Sequence, residues 1–231
     1  SYFYYWRGGI SIKEVFSDII VEAPLGSRTK LTLPDGTLVW LNAGSRITYS
    51  QGFGVGNRKI ELIGEGYFEV KRNEEVPFLV KTNSLLVKVL GTKFNFRDYP
   101  DDAEAIVSLS EGKVALNNLL KKEKEAFLLP NERVVLNKKN GRMHVEYSTV
   151  SNALQWTNGY LFFDEELLPD VVKELERSYN VKIQIASDTL NTFRFYGNFV
   201  HREQNIQEVL EALSATRKIH YIIEGHNITL Y

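Results

Sequence analysis

The 231-residue sequence contains no cysteine. Disulfides, thiolate catalysis and cysteine-ligated metal sites are therefore excluded. That absence assigns no compartment, because envelope and cytosolic domains both occur without cysteine. No signal peptide and no apolar run of membrane-spanning length is present. The chain opens on Ser1 rather than Met and reads as an excised fragment or a processed product. Charge of one sign is also missing: 28 Lys and Arg against 29 Asp and Glu give a formal net charge of -1. No bulk field then draws the chain to nucleic acid or to an anionic membrane.

Signatures of catalysis are equally scarce. There is no G-x-S-x-G nucleophile elbow, and the run through Gly52, Gly54 and Gly56 lacks the Lys-Ser/Thr of a phosphate loop. No helical pattern follows that run, so it reads as a bent loop. The four histidines are His144, His201, His220 and His226, and none has the i,i+4 helical spacing of a zincin. His220 and His226 are the two that a terminal hairpin would bring together, but they read as surface histidines. Paired carboxylates are available from Glu65 and Glu69 on one strand face, or from Asp101, Asp102 and Glu104. A half-exposed strand or turn accounts for either set. We therefore expect no enzyme, no cofactor and no metal.

What is present is strand and turn punctuation. Apolar residues make up 43% and charged residues 25% of the chain, which is ordinary for a soluble globular protein of one large or two modest domains. From residue 19 to 147 short strand-like runs recur at 30–33, 37–41, 46–49, 59–62, 67–70, 78–81, 85–90, 93–97, 105–109, 113–116, 126–129 and 133–136. The first two flank Pro34-Asp35-Gly36, a tight-turn signal. This spacing predicts a mostly β N-terminal domain, a β-sandwich, roll or solenoid-like arrangement, and periodicity does not choose among the three. Trp40, Phe68 and Phe94 are expected in its core. Residues 1–18, with the aromatic cluster Tyr2, Phe3, Tyr4, Tyr5 and Trp6, suit either an edge strand or tail, or a juxtamembrane stub. Residues 148–156 read as a linker.

Beyond it the period changes. Leu168, Val171, Val172, Leu175 and Tyr179 trace one face of a helix, with Pro169 tolerable in its first turn. Val181, Ile183 and Ile185 alternate as a strand. Asn205 with Glu208 forms a capping box before a second helix bearing Ile206, Val209, Leu210 and Leu213. Ile219 and Tyr221 alternate after it. The two segments superpose at a constant offset: 197 − 159 = 38 for Gly159 and Gly197, and 206 − 168 = 38 for the helix starts. Residues 157–231 are thus predicted to form a small α+β C-terminal domain of duplicated βαβ units, both helices on one sheet face, closed by a hairpin ending at Ile228, Leu230 and Tyr231.

The order of motifs resembles one family. Pro24-Leu25-Gly26-Ser27-Arg28, Leu33-Pro34-Asp35-Gly36-Thr37, Val39-Trp40-Leu41-Asn42-Ala43-Gly44-Ser45, Gly64-Glu65-Gly66-Tyr67-Phe68-Glu69-Val70, Val89-Leu90-Gly91-Thr92-Lys93-Phe94 and Ser110-Glu111-Gly112-Lys113-Val114 resemble the FecR family. Gly66 stands where Ala is usual and Ala23 where Val is common. The segment from Trp156 resembles the domain that follows FecR domains in Bacteroidetes, which is similar to the secretin/TonB short N-terminal fold. The resemblance implies the periplasmic sensor part of a single-pass inner-membrane anti-sigma factor. Such a protein relays a signal from the N-terminal signalling domain of an outer-membrane TonB-dependent transporter to an extracytoplasmic-function sigma factor, held by a cytoplasmic segment not in this sequence. It also favours the juxtamembrane reading of residues 1–18.

A short sheet with open edges offers β-augmentation to such a partner. The strand edges expected to serve are Phe193, Phe195, Tyr196, Asn198 and Val200, or Ile228, Leu230 and Tyr231. Relay would follow from a shift of the two domains about the linker, or from exposure of a proteolytic site. The residues alone leave two other classes: a carbohydrate-binding β module stacking sugars on Trp40 or Trp156, and a β-fold glycosidase with two carboxylates converging in a cleft.

Overall fold

A computed structural model describes residues 16–231. The aromatic cluster between Tyr2 and Trp6 lies outside the described residues. Thirteen strands come first: β1 (Asp18–Ala23), β2 (Thr29–Thr32), β3 (Leu38–Leu41), β4 (Ser45–Ser50), β5 (Arg58–Glu69), β6 (Phe78–Lys81), β7 (Leu85–Val89), β8 (Lys93–Asp98), β9 (Glu104–Glu111), β10 (Val114–Asn118), β11 (Ala126–Leu128), β12 (Glu132–Asn137) and β13 (Met143–Tyr147). A short helix α1 (Val150–Leu154) and a 3-10 turn (Gln155–Asn158) lead into β14 (Tyr160–Leu167), α2 (Leu168–Tyr179), β15 (Lys182–Ile185), β16 (Arg194–Val200), α3 (Ile206–Ser214), β17 (Tyr221–Glu224) and β18 (Asn227–Leu230).

The long strand β5 organises the N-terminal part. Its first half pairs with β4 and, in parallel, with β6; its second half pairs with β3 and β8. One layer therefore contains β1, β4, β6, β7, β10 and β11, the other β2, β3, β8, β9, β12 and β13, and β5 belongs to both. Residues of both layers share one core: Ile60, Leu62, Val80, Val87 and Leu116 face Val39, Phe68, Phe94, Phe96, Val107 and Leu109. Of the predicted β architectures, this is a rolled sandwich whose layers share a strand.

The sequence pattern divides β5 into two runs because Gly64 and Gly66 look like punctuation. Gly64 is instead the crossing point. It has φ +97°, and Ser45 packs directly over it, so that a Cβ there would lie 2.8 Å from the Ser45 Cβ and 2.9 Å from its Cα. The strand swivels from one layer to the other without ending. Phe68 and Phe94 stack in the core at 5.1 Å. Trp40 departs from expectation. It lies half-buried on the other side of β3, 5.3 Å from Tyr67, with the Lys30 ammonium 4.6 Å above its ring. Alternation along β3 assigns the core positions to Val39 and Leu41 instead.

The C-terminal part has its own apolar core. Leu168, Val171, Val172 and Leu175 of α2 and Val209, Leu210 and Leu213 of α3 are buried as their spacing requires. The capping box is formed, Glu208 N–H donating to Asn205 Oδ1 at 3.0 Å and Asn205 N–H to Glu208 Oε2 at 2.8 Å. The helices do not cover a single sheet. β14 and β16 make one antiparallel pair, and β15, β18 and β17 make a second sheet in that order.

The duplication survives in α2 and α3, which begin at Leu168 and Ile206, but not in the strands before them. β14 carries a bulge between Phe163 and Glu166, with Glu165 at φ 54°, and β16 does not. The two matched glycines also differ in role. Gly159 ends the 3-10 turn at φ 89°, whereas Gly197 leaves room for the rings of Phe195 and Phe199.

Candidate functional site at the junction and on the open strand edges

The segment read as a linker is helical and anchored. The buried Trp156 indole donates to Asn95 Oδ1 at 3.0 Å, and Asn95 Nδ2 donates to Glu65 Oε1 at 2.9 Å. Asn42 Nδ2 donates to the other oxygen of Glu65, also at 2.9 Å, while its own Oδ1 accepts from Arg28 Nε at 3.0 Å. A chain of side-chain hydrogen bonds thus ties the connecting segment to strands β3, β5 and β8, with Glu65 at its centre.

Around it lies an ion cluster joining α2 to the β part. Arg97 Nε is 2.9 Å from Asp102 Oδ2, and Arg97 Nη1 is 3.4 Å from Glu174 and 3.8 Å from Glu65. Arg177 Nη2 reaches Asp101 at 2.7 Å and Asp102 at 2.6 Å, and its guanidinium lies 3.5 Å from the centre of the Tyr99 ring. The Arg177 carbonyl accepts from Gly26 N–H at 2.7 Å, and Lys173 Nζ donates to the Asp101 carbonyl at 2.6 Å. Residues 173, 174 and 177 lie on one face of α2, so the helix has an apolar face for its own core and a polar face for the β part.

Burial pushes the Glu65 carboxyl above the ordinary glutamate value; Arg97 opposes the shift and Glu174 adds to it. Burial acts against the Arg97 charge, but Glu65, Glu174 and Asp102 hold that guanidinium firmly protonated. Burial also acts upward on Asp102, yet Arg97 and Arg177 outweigh it and keep this carboxyl below its usual range. The two acids therefore have opposite linkage. Asp102 contributes stability that is present above its unfolded value of 3.8 and lost as the pH falls. With Glu65 raised, the folded state binds the proton more tightly, so stability falls as the pH rises from 4.5 through the raised value. Glu65→Gln should remove that decline. Urea midpoints taken between about pH 4 and pH 7 should fall less steeply in the variant than in the parent, and parallel profiles would show that Glu65 does not titrate as placed.

The paired carboxylates of a glycosidase do not converge. Glu65 is engaged by Asn42 and Asn95, whereas Glu69 Oε1 accepts from Tyr67 on the same strand at 3.3 Å. Asp101 and Asp102 are committed to Arg177. Both candidate sugar platforms are occupied, Trp156 by its burial and Trp40 by Lys30. His220 donates its main-chain N–H to Tyr231, and His226 lies in the turn between β17 and β18. Among the described residues no group of three His, Asp or Glu is placed to hold a metal, and no helix is long and apolar enough to cross a membrane.

The strand edges are distributed differently from the sequence expectation. β18 is the middle strand of its sheet, with Ile228 and Leu230 buried. Tyr231 exchanges both main-chain bonds with His220. These three residues therefore form no edge, because β15 returns alongside β18 in parallel, a pairing that alternation alone does not reveal. β16 does have an open side. Phe195 is buried and Phe193 is half-buried against the core; Tyr196 is 67% exposed and Asn198 is exposed.

Hydrogen-bond phase fixes which amides point outward. His201 N–H donates to the Gly159 carbonyl, so Leu161 and Phe163 pair with Phe199 and Gly197 through hydrogen bonds, and Phe162 and Asn198 turn their main-chain groups away from each other. Val200 also turns outward, but Gln204 Oε1 already accepts its N–H at 2.8 Å.

The edge that sequence reasoning missed is β17. The two main-chain hydrogen bonds exchanged by His220 and Tyr231 set its phase, leaving the main-chain groups of Tyr221 and Ile223 on the open side. Its neighbouring isoleucines, Ile222 and Ile223, are 49% and 39% exposed. An apolar pair on an unblunted edge is an unusual expense of solubility unless something covers it.

Comparison with known proteins agrees with this architecture. Residues 20–115 match the family described as FecR protein, and residues 160–230 match the family described as FecR, C-terminal. A crystal structure of a candidate anti-sigma factor from Parabacteroides distasonis, at 1.65 Å, is 33% identical, with a TM-score of 0.84 over 92% of this chain and 98% of that one. A second structure of that description, at 2.50 Å, has the same identity and TM-score over 93% of this chain and 99% of that chain. No curated protein matches.

Proposed function

The chain belongs to the FecR family of anti-sigma factors, and on that premise we propose that residues 16–231 are the periplasmic sensor of a single-pass inner-membrane regulator. The N-terminal signalling domain of an outer-membrane TonB-dependent transporter docks on the C-terminal part. The result passes to an extracytoplasmic-function sigma factor bound elsewhere in the protein. The observation that carries this reading is the open edge of β17, where two free main-chain positions coincide with exposed Ile222 and Ile223. A partner strand added there gains main-chain hydrogen bonds and covers apolar surface in one step. The outer edge of β16, with Tyr196 and Asn198, is the second candidate, narrowed by the Gln204 cap on Val200.

The ion cluster supports a route by which docking is transmitted. It fastens α2 to the β part, so a load on the C-terminal sheet reaches β5 and β8 through charged side chains rather than through a slack tether. A relay by domain shift must break these pairs; a relay by proteolysis requires that they open.

Proline substitutions separate the two edges without breaking a ladder bond. Ile223→Pro removes an outward N–H of β17, and Asn198→Pro removes one of β16. Calorimetric titration against a panel of transporter signalling domains from the same cell should find a binder. Ile223→Pro should abolish that binding, and Asn198→Pro should leave it within about threefold. Unchanged binding in the folded Ile223→Pro protein would remove β17 from the account, and loss in Asn198→Pro alone would transfer the site to β16.

A further inference from the structure

A cleft of ≈ 690 Å³ lies between the two parts, within the about 300–1,000 Å³ typical of binding sites. On one side are Glu104, Ile106 and Ser108 of β9; on the other is β14. Residues 160, 161, 162, 163 and 164 of β14 all line it. Successive strand residues point to opposite faces, so a sheet face would contribute only every second one. A run of five consecutive lining residues means that the cleft meets the edge of β14. That edge is unpaired, since the β14 sheet has only two strands. The phase set by His201 and Gly159 turns the main-chain groups of Tyr160 and Phe162 toward this open side.

The charges around the cleft are mostly negative. Its two arginines are already engaged, Arg97 by Asp102, Glu174 and Glu65, and Arg133 by Glu146. Glu104, Asp164, Glu166 and Asp170 line the cleft and make no ion pair among the described residues. Burial pushes the Glu166 carboxyl up; Arg97 opposes this, and Asp170 adds to it. Ile106 and Phe162 supply apolar surface between the acids.

We propose that this cleft is a second docking site, in which an extended segment of a partner protein pairs with β14 and presents alternating basic and apolar side chains. Charge complementarity selects the occupant: an acidic segment meets uncompensated carboxylates, and a neutral one leaves them facing an apolar strand. The site is separate from the β17 edge. Its floor includes Glu65, Arg97 and Glu174, so a basic side chain seated there competes with Arg97 for its own partners.

The test uses short capped peptides, one alternating valine with lysine and one alternating valine with glutamate, titrated into the ¹⁵N-labelled chain. The lysine peptide should shift amides of residues 160–164, and the glutamate peptide should not. Asp164→Asn with Glu166→Gln breaks no ion pair and should weaken the lysine peptide about tenfold, with a steep loss in salt. Phe162→Pro should abolish binding by removing an outward amide, whereas Ile223→Pro should leave it unchanged, which separates failure here from failure of the β17 site. Equal binding of the two peptides would overturn the proposal. So would shifts confined to β16 or β17, or no shift at about 1 mM peptide.

Discussion

Replacing Arg97 with alanine should destabilise the protein by about 3–5 kcal/mol, the cost typical of removing one partner from a buried ion pair. Three carboxylates depend on this one guanidinium. Asp102 keeps Arg177, but Glu65 and Glu174 are left buried near one another with only hydrogen bonds to hold them. The large effect comes from what remains behind, not from the worth of the pair itself. Glu65→Gln in the Arg97→Ala background should recover part of the loss, giving a coupling of about 0.5–3 kcal/mol in a double-mutant cycle on urea denaturation. Additive single-variant effects would show that the two side chains do not sense each other.

Gly64→Ala should cost about 2–5 kcal/mol. Roughly 1–2 kcal/mol comes from holding an L-residue in the left-handed region, where Gly64 has φ +97°. A further contribution of about 1–3 kcal/mol comes from forcing a methyl group against Ser45, whose Cα would lie 2.9 Å away. The contact cannot relax by a rotamer change alone, because the Ser45 backbone is part of it. Ser45 Oγ also accepts from Glu65 N–H at 2.8 Å, so displacing it disturbs the buried carboxylate next in sequence. The loss should appear as a lower midpoint with the slope of the urea transition unchanged. Gly56→Ala, where no atom lies within 4 Å of the added carbon, is the control expected to be near neutral.

Local pattern made some features legible and left others hidden, for physical reasons. Helix faces were readable because burial of Leu168, Val171, Val172 and Leu175 repeats with the helical period. The turn at Asp35 and Gly36 was readable because its chemistry is local; Gly36 has φ 87°, and Asp35 Oδ1 accepts from Thr37 N–H at 2.9 Å. What local pattern does not show is that Asp35 also holds Arg58, buried 23 positions away in sequence at 3.0 Å.

The junction was hidden in the same way. Glu174, Arg177 and Ser178 lie among the polar residues that a surface helix normally turns to water, and nothing in α2 itself says that this face is covered. Glu65 was noticed as a carboxylate, but its neighbours Asn42, Asn95, Arg97 and Glu174 come from three separate segments. The misjudged edge, β18 for β17, has a similar cause. Strand alternation identifies faces, whereas neighbours are decided by long-range pairing with β15.

The claim on which the function rests is that a transporter signalling domain adds a strand to β17. Amide hydrogen exchange of the chain, alone and saturated with the signalling domain that binds it, tests this most directly. The account predicts new protection at the outward amides of Tyr221 and Ile223, with little change at β18, whose bonds are already made. Protection confined to strands of the β part, with Tyr221 and Ile223 exchanging as in the free protein, would contradict it.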